Sequence, residues 1–102
     1  MSLKKQTLKS KPVCKVSFRF TEEIVKGAEK VTLVGDFNNW DESAHEMKKL
    51  KSGDFTTLLE LEKGKSYQFR YLVNEKDWYN DLKADGYVVN NFGAENCVVE
   101  AI

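Results

Sequence analysis

A chain of 102 residues has room for one domain, and 41% hydrophobic with 12% aromatic content permits a single real core. A formal net charge of zero, with 31% of residues charged, argues against a nucleic-acid partner or an acidic membrane surface. No apolar run approaches the ~20 residues of a membrane span. No apolar stretch follows the lysines of residues 1–12 as a signal peptide would require, so the expected location is the cytoplasm.

Charge is uneven along the chain. Residues 1–12 hold Lys4, Lys5, Lys9 and Lys11 and no acid. Of the 16 basic side chains twelve therefore remain against all 16 acids, a net −4 for the rest. The expectation is a flexible basic arm over 1–12 and one domain over 13–102, the arm being either a frayed terminus or a contact for an anionic partner. Pro12 stands just before the first expected strand, where it breaks no ladder.

From Val13 to Phe20 the residues alternate, Cys14, Val16, Phe18 and Phe20 against Lys15, Ser17 and Arg19, as in a half-buried strand. Residues 21–26 begin like a helical turn, but Gly27 and the charges after it predict a loop. Lys30 to Val34 is a second strand, ending in the turn Gly35-Asp36-Phe37-Asn38-Asn39-Trp40-Asp41. A polar loop over 41–46 and a short strand over 47–50 lead to a hairpin signal, Ser52-Gly53-Asp54. Residues 55–61 alternate, with Phe55, Thr57, Leu59 and Leu61 inward. After a second hairpin at 62–65, Tyr67, Phe69, Tyr71 and Val73 point inward and Gln68, Arg70 and Leu72 outward. Asn74-Glu75-Lys76-Asp77 is a third turn, returning at Trp78-Tyr79. A polar loop over 81–91, broken by the short apolar run Tyr87-Val88-Val89, and the turn Phe92-Gly93 precede a last strand, 96–102. Turn signals every 8–12 residues between short strands, with no convincing helix, predict an all-β sandwich.

The chemistry-bearing residues are few. Trp40, at the tip of a turn, is either a platform for a flat amphipathic ligand or a plug for the open end of the sandwich. Arg70 and Trp78 are placed to share one sheet face, although each is also explained as an ordinary surface charge and a rim aromatic. Two tryptophans, an arginine and several asparagines suit a sugar, whose C–H face lies on an indole while its hydroxyls need donors and acceptors. The acids Asp77, Asp81 and Asp85 are spaced by four, but a small chain leaves little room for a deep catalytic cleft, and they read as a solvated acidic loop. His45 has no nucleophile beside it in sequence, and no phosphate-binding glycine loop is present. Cys14 and Cys97 lie on the first and last expected strands, which can be neighbours; buried free thiols are expected rather than a disulfide. With one histidine they form no recognisable metal site, so neither a metal, a cofactor nor an enzyme is expected.

The string Val31-Thr32-Leu33-Val34-Gly35-Asp36-Phe37-Asn38-Asn39-Trp40, then Gly53-Asp54-Phe55, Tyr67-Gln68-Phe69-Arg70-Tyr71-Leu72-Val73, Trp78, Phe92-Gly93 and Asn96 carry a resemblance. In that order they resemble the glycogen-binding, family 48 type of carbohydrate-binding module, also called the isoamylase N-terminal or early-set domain. That type is similar to the module in the beta subunit of the AMP-activated protein kinase and in branching and debranching enzymes. The resemblance spans residues 13–102. It implies an immunoglobulin-like antiparallel β-sandwich of about seven to eight strands that binds α-1,4-glucan, such as glycogen, starch or maltooligosaccharide, without catalysis. Carried over by position, Trp40 and Trp78 stack on sugar, Arg70 and Asn96 bond hydroxyls, and Phe92 stands where the kinase module has a leucine pressed on the ring. Ala94 replaces a threonine that contacts sugar there, and the 74–77 turn is one residue longer. The chain is expected to act alone, like the small solitary early-set proteins of bacteria. The competing expectation is a protein-interaction or packing module associated with a glucan-metabolising enzyme.

Overall fold

In a computed structural model, residues 3–7, 12–21, 23, 25–81, 83–90 and 92–101 are described. Among these described residues nine strands form two antiparallel sheets: β1 (Leu3–Thr7), β2 (Val13–Phe20), β3 (Val31–Gly35), β4 (Lys48–Lys49), β5 (Phe55–Glu62), β6 (Lys65–Val73), β7 (Asp77–Tyr79), β8 (Gly86–Val89) and β9 (Glu95–Ala101). One sheet has the order β1-β2-β5-β4, the other β3-β6-β9-β8, with β7 also on β6. The result is the immunoglobulin-like, early-set type of sandwich. Among the described residues no helix is long and apolar enough to cross a membrane.

The alternating residues meet where the sheets face each other. Phe18, Phe20, Phe69 and Tyr71 are fully buried, with edge-on ring pairs at 5.2 Å (Phe18–Phe69), 5.1 Å (Phe20–Tyr71) and 5.7 Å (Phe69–Tyr71). Each such side chain contributes roughly 1.5–3 kcal/mol by leaving water. The Tyr71 hydroxyl donates to the buried carboxylate of Asp81 at 2.8 Å. Burial, then the Asp81 charge, holds the Tyr71 phenol well above its ordinary range.

Several expectations need correction. Leu3–Thr7 is not a frayed arm but a strand in register with β2, from Leu3 opposite Phe18 to Thr7 opposite Cys14. Buried Leu3 anchors it, and Lys4 and Lys5 keep this sheet edge charged, which discourages pairing with other chains. Lys9 and Lys11 lie outside the described residues. The 81–91 stretch is not all loop: Tyr87-Val88-Val89 belongs to β8, because β9 offers it a full antiparallel ladder. Leu72, expected to face outward, does so, yet is buried along with Thr32, its register partner. Both share that face with Trp78, which stands opposite Leu72 on the other side. Asp81 is not solvated but buried, held by Tyr71 and by the Lys83 amide at 2.8 Å.

Cys14 and Cys97 are free, buried thiols. Burial pushes the Cys97 thiol from 9.0 up to about 11. Both Cys97 and Tyr71 therefore hold their protons more tightly folded than unfolded, so their contribution is whole below the unfolded values and is lost as pH rises. Denaturant midpoints are expected to decline between pH 9 and 11, and thiol reagents at pH 8 to react only at the rate of unfolding. Fast thiol labelling of the native protein would contradict this burial.

Candidate functional site

The long strand β6 organises the outer face of the second sheet. Residues 65–69 of one edge pair with β9, and residues 71–73 of the same edge pair with β7. Arg70 falls at the fork where one partner stops and the other begins. Asn80 bridges that fork, accepting from Arg70 Nε at 2.8 Å and donating to the Glu95 carbonyl at 2.9 Å. The guanidinium carbon stands 5.9 Å from the centre of the Trp78 ring. Among the described residues it has no carboxylate partner, which leaves its terminal nitrogens as donors for something else.

On the other edge, Gly35 ends β3 opposite Phe69. Its φ of −175° is ordinary extended backbone, so a sharp turn is not why glycine stands here. The reason is proximity: a Cβ on Gly35 would lie 2.5 Å from the Gln68 carbonyl oxygen and 2.8 Å from Phe69 Cβ. The loop that follows presses against β6. Asp36 Oδ2 accepts from the Gln68 amide at 2.8 Å, while Asp36 Oδ1 accepts from the Trp40 indole N–H at 2.8 Å. One carboxylate thus fixes the loop to the sheet and the indole to the loop. Asn38 ties the base, accepting from the Gly35 amide at 3.1 Å, donating to the Leu33 carbonyl at 3.0 Å and lying 2.8 Å from His45 Nδ1. His45, given no role by its sequence context, is a partner of this turn.

Asn39 and Trp40 both adopt left-handed backbone, with φ of 56° and 58°. For a bulky L-residue that conformation costs roughly 1–2 kcal/mol. It turns Trp40 away from the core, while Phe37 packs inward, 5.8 Å from Phe18 and 6.1 Å from Tyr67. The two openings left for Trp40 are thereby separated: Phe37 fills the end of the sandwich, and Trp40 faces a cleft.

That cleft, of about 480 Å³, is lined by Trp40, Gln68, Arg70, Trp78, Asn90, Phe92, Ala94 and Asn96. All five residues singled out by sequence lie around it, and the longer 74–77 turn leaves Trp78 at its wall. Asn74 and Glu75 take up the extra length in left-handed backbone, with φ of 53° and 59°. Phe92 is 93% exposed, a large apolar ring held in water at the rim. Asn96 differs from expectation in one respect. It is only 8% exposed, and both ends of its amide are engaged, donating to Gln68 Oε1 and accepting from Asn90 Nδ2, each at 3.1 Å. Asn90 in turn caps the turn, accepting from the Phe92 and Ala94 amides at 2.9 and 3.2 Å. The Gln68 NH2 has no protein partner among the described residues. Sequence reasoning placed Gln68 on this face but gave it no part in the site. Its spacing of two from Arg70 was the available signal. Asn90 carried no such signal, since a β8–β9 turn brings it in.

The surface so built offers three aromatic walls and a floor with donors from Arg70 and Gln68. The acids at 77, 81 and 85 do not gather there: Asp85 pairs with Lys5 and accepts from the Glu100 amide, and Asp81 is in the core.

Residues 18–88 match the family of carbohydrate-binding module 48 (isoamylase N-terminal domain). Over 60 residues, 59% of the chain, the sequence is 40% identical to a 1,4-alpha-glucan branching enzyme of Butyrivibrio fibrisolvens, of which it spans only 9%. A family match over more than half of the length, on a sandwich of this topology, leaves one conclusion: the chain belongs to the carbohydrate-binding module 48 family.

Proposed function

We propose that the chain binds α-1,4-glucan non-catalytically in the cleft between Trp40 and Trp78. The observation that carries this reading is the convergence of Trp40, Trp78 and Phe92 around one opening with the Arg70 guanidinium, whose Nε is held by Asn80 and which has no carboxylate partner among the described residues. A glucose unit has an apolar C–H face for an indole and hydroxyls for the arginine fork. Two indoles brought from different edges of β6 suit a curved, α-linked chain better than a flat β-linked ribbon. Asn96 acts by orienting Gln68 and Asn90 as much as by touching sugar. Each good contact adds roughly 1–2 kcal/mol once hydration is repaid, so dissociation constants between micromolar and millimolar are expected.

Trp40 and Trp78 are the only tryptophans in the chain, so intrinsic fluorescence reports on the cleft alone. A saturable change is expected with maltoheptaose and none with cellohexaose. No change with maltoheptaose up to tens of millimolar, in folded protein, would overturn the reading. A second reading, attachment to a glucan-metabolising enzyme, is favoured by the exposed apolar edge strand β8, with Val89 69% exposed. It predicts a complex with such an enzyme that survives Trp78→Ala but not a charged replacement of Val89. Either way the chain acts where glucan is stored, which for a branching-enzyme relative points to the cytoplasm.

A further inference from the structure

The cleft is walled on three sides and open on the fourth. Trp40 stands on the β3 side, Trp78 on β7 and Phe92 in the β8–β9 turn. Toward the lower half of β9, among the described residues, none beyond Asn96 lines it. The strand registers say what lies there. Val98 pairs with Gln68, Gly86 pairs with Val98, and Val88 pairs with Asn96. Directly paired residues share a sheet face, as do residues two apart. Gly86, Val88 and Val98 therefore continue the floor on which Gln68 and Asn96 stand, although none of the three lines the cleft. Val88 is 42% exposed, and Val98 is half-buried. At Gly86 the floor has no side chain, and a Cβ there would meet only Val98 Cβ, at 3.8 Å. The strip ends at a polar pair, Ser66 opposite Glu100. From Asn96 to Glu100 it runs roughly 13 Å at strand rise.

We infer that a glucan longer than the cleft leaves it by this open side, with a further glucose unit seated on Val88, Val98 and the bare backbone of Gly86. The inference rests on the glucan reading of the cleft and adds a subsite to it. Its chemistry is that of a sugar face: a flat apolar floor without charge, bordered by a hydroxyl and a carboxylate that accept from sugar hydroxyls. The occupant is the continuing chain itself, because the strip is contiguous with the cleft floor through Gln68 and Asn96. Linear chains that cross the strip then bind more tightly than chains that only fill the cleft.

Calorimetric titration with maltotriose and maltoheptaose tests it. The unaltered protein is expected to favour maltoheptaose. Gly86→Leu, which raises a side chain over Val98 without backbone strain, should weaken maltoheptaose about fivefold and leave maltotriose unchanged. Val88→Lys, at an exposed edge position, should act in the same direction should Gly86→Leu fail to fold. An unchanged ratio of the two affinities in a folded variant overturns the subsite while leaving the cleft intact. Absence of binding of both sugars to the unaltered protein removes the cleft reading and the subsite with it.

Discussion

Trp78→Ala is expected to weaken maltoheptaose binding about 5- to 30-fold, the equivalent of ~1–2 kcal/mol, while the domain stays folded. Trp78 sits on the short strand β7 and is 37% exposed, and its backbone pairing with Leu72 does not depend on the side chain. What is lost is an apolar platform and the ring beside the Arg70 guanidinium. Trp40→Ala should cost affinity by a similar amount, and Asp36→Ala nearly as much. Asp36 touches no sugar in this reading; it holds the Trp40 indole and the Gln68 amide at 2.8 Å each. Asp36→Ala should therefore also change the fluorescence of Trp40 without ligand, which a simple loss of contact would not. Parallel measurement of affinity, far-ultraviolet circular dichroism and fluorescence separates these cases. Unfolding by Trp78→Ala would return that ring to the core and sink its role as a platform.

The second large effect is expected at Gly35. In Gly35→Ala the new methyl would have to sit 2.5 Å from the Gln68 carbonyl oxygen and 2.9 Å from the Phe37 ring. Two of its three nearest neighbours belong to β6, so β3 and β6 must part or shear. Overpacking of this kind costs about 1–3 kcal/mol or more, out of a total stability of roughly 5–15 kcal/mol. For a domain of this size that is a fall of about 5–20 °C in melting temperature. Binding should suffer too, because the Gly35 carbonyl accepts the Trp40 amide at 2.9 Å and Asp36 follows directly. Gly86→Ala is the control: its methyl meets only Val98 at ordinary contact, and stability should hold or rise slightly. Equal melting temperatures for the two variants would show that proximity to β6 is not what requires glycine at 35.

Much of this protein was legible in its sequence because the signals are local. Alternation over 13–20, 55–61 and 67–73 determined which residues face the core, since a period of two follows from the pleat alone. Positive-φ glycines at 53 and 64 mark hairpins where the turns demand them. The string from Val31 to Trp40, with Arg70, Trp78, Phe92 and Asn96 behind it, was enough to name the family and five of the eight residues that line the cleft. The tertiary structure decided what depends on a partner distant in sequence. Leu3–Thr7 is a strand because β2 receives it, and β8 is one because β9 does; neither has a pattern strong enough to declare itself. Asp81 reads as a solvated acid until Tyr71, ten residues away, hands it a hydroxyl in the core. Gly35 looks like a turn former, and only the approach of β6 gives the steric reason for it. Gln68 joins the cleft because β6 carries it beside Arg70, where the strand forks between β9 and β7, and Asn90 joins because the β8–β9 turn brings it there; both depend on strand pairing, which no window of sequence contains.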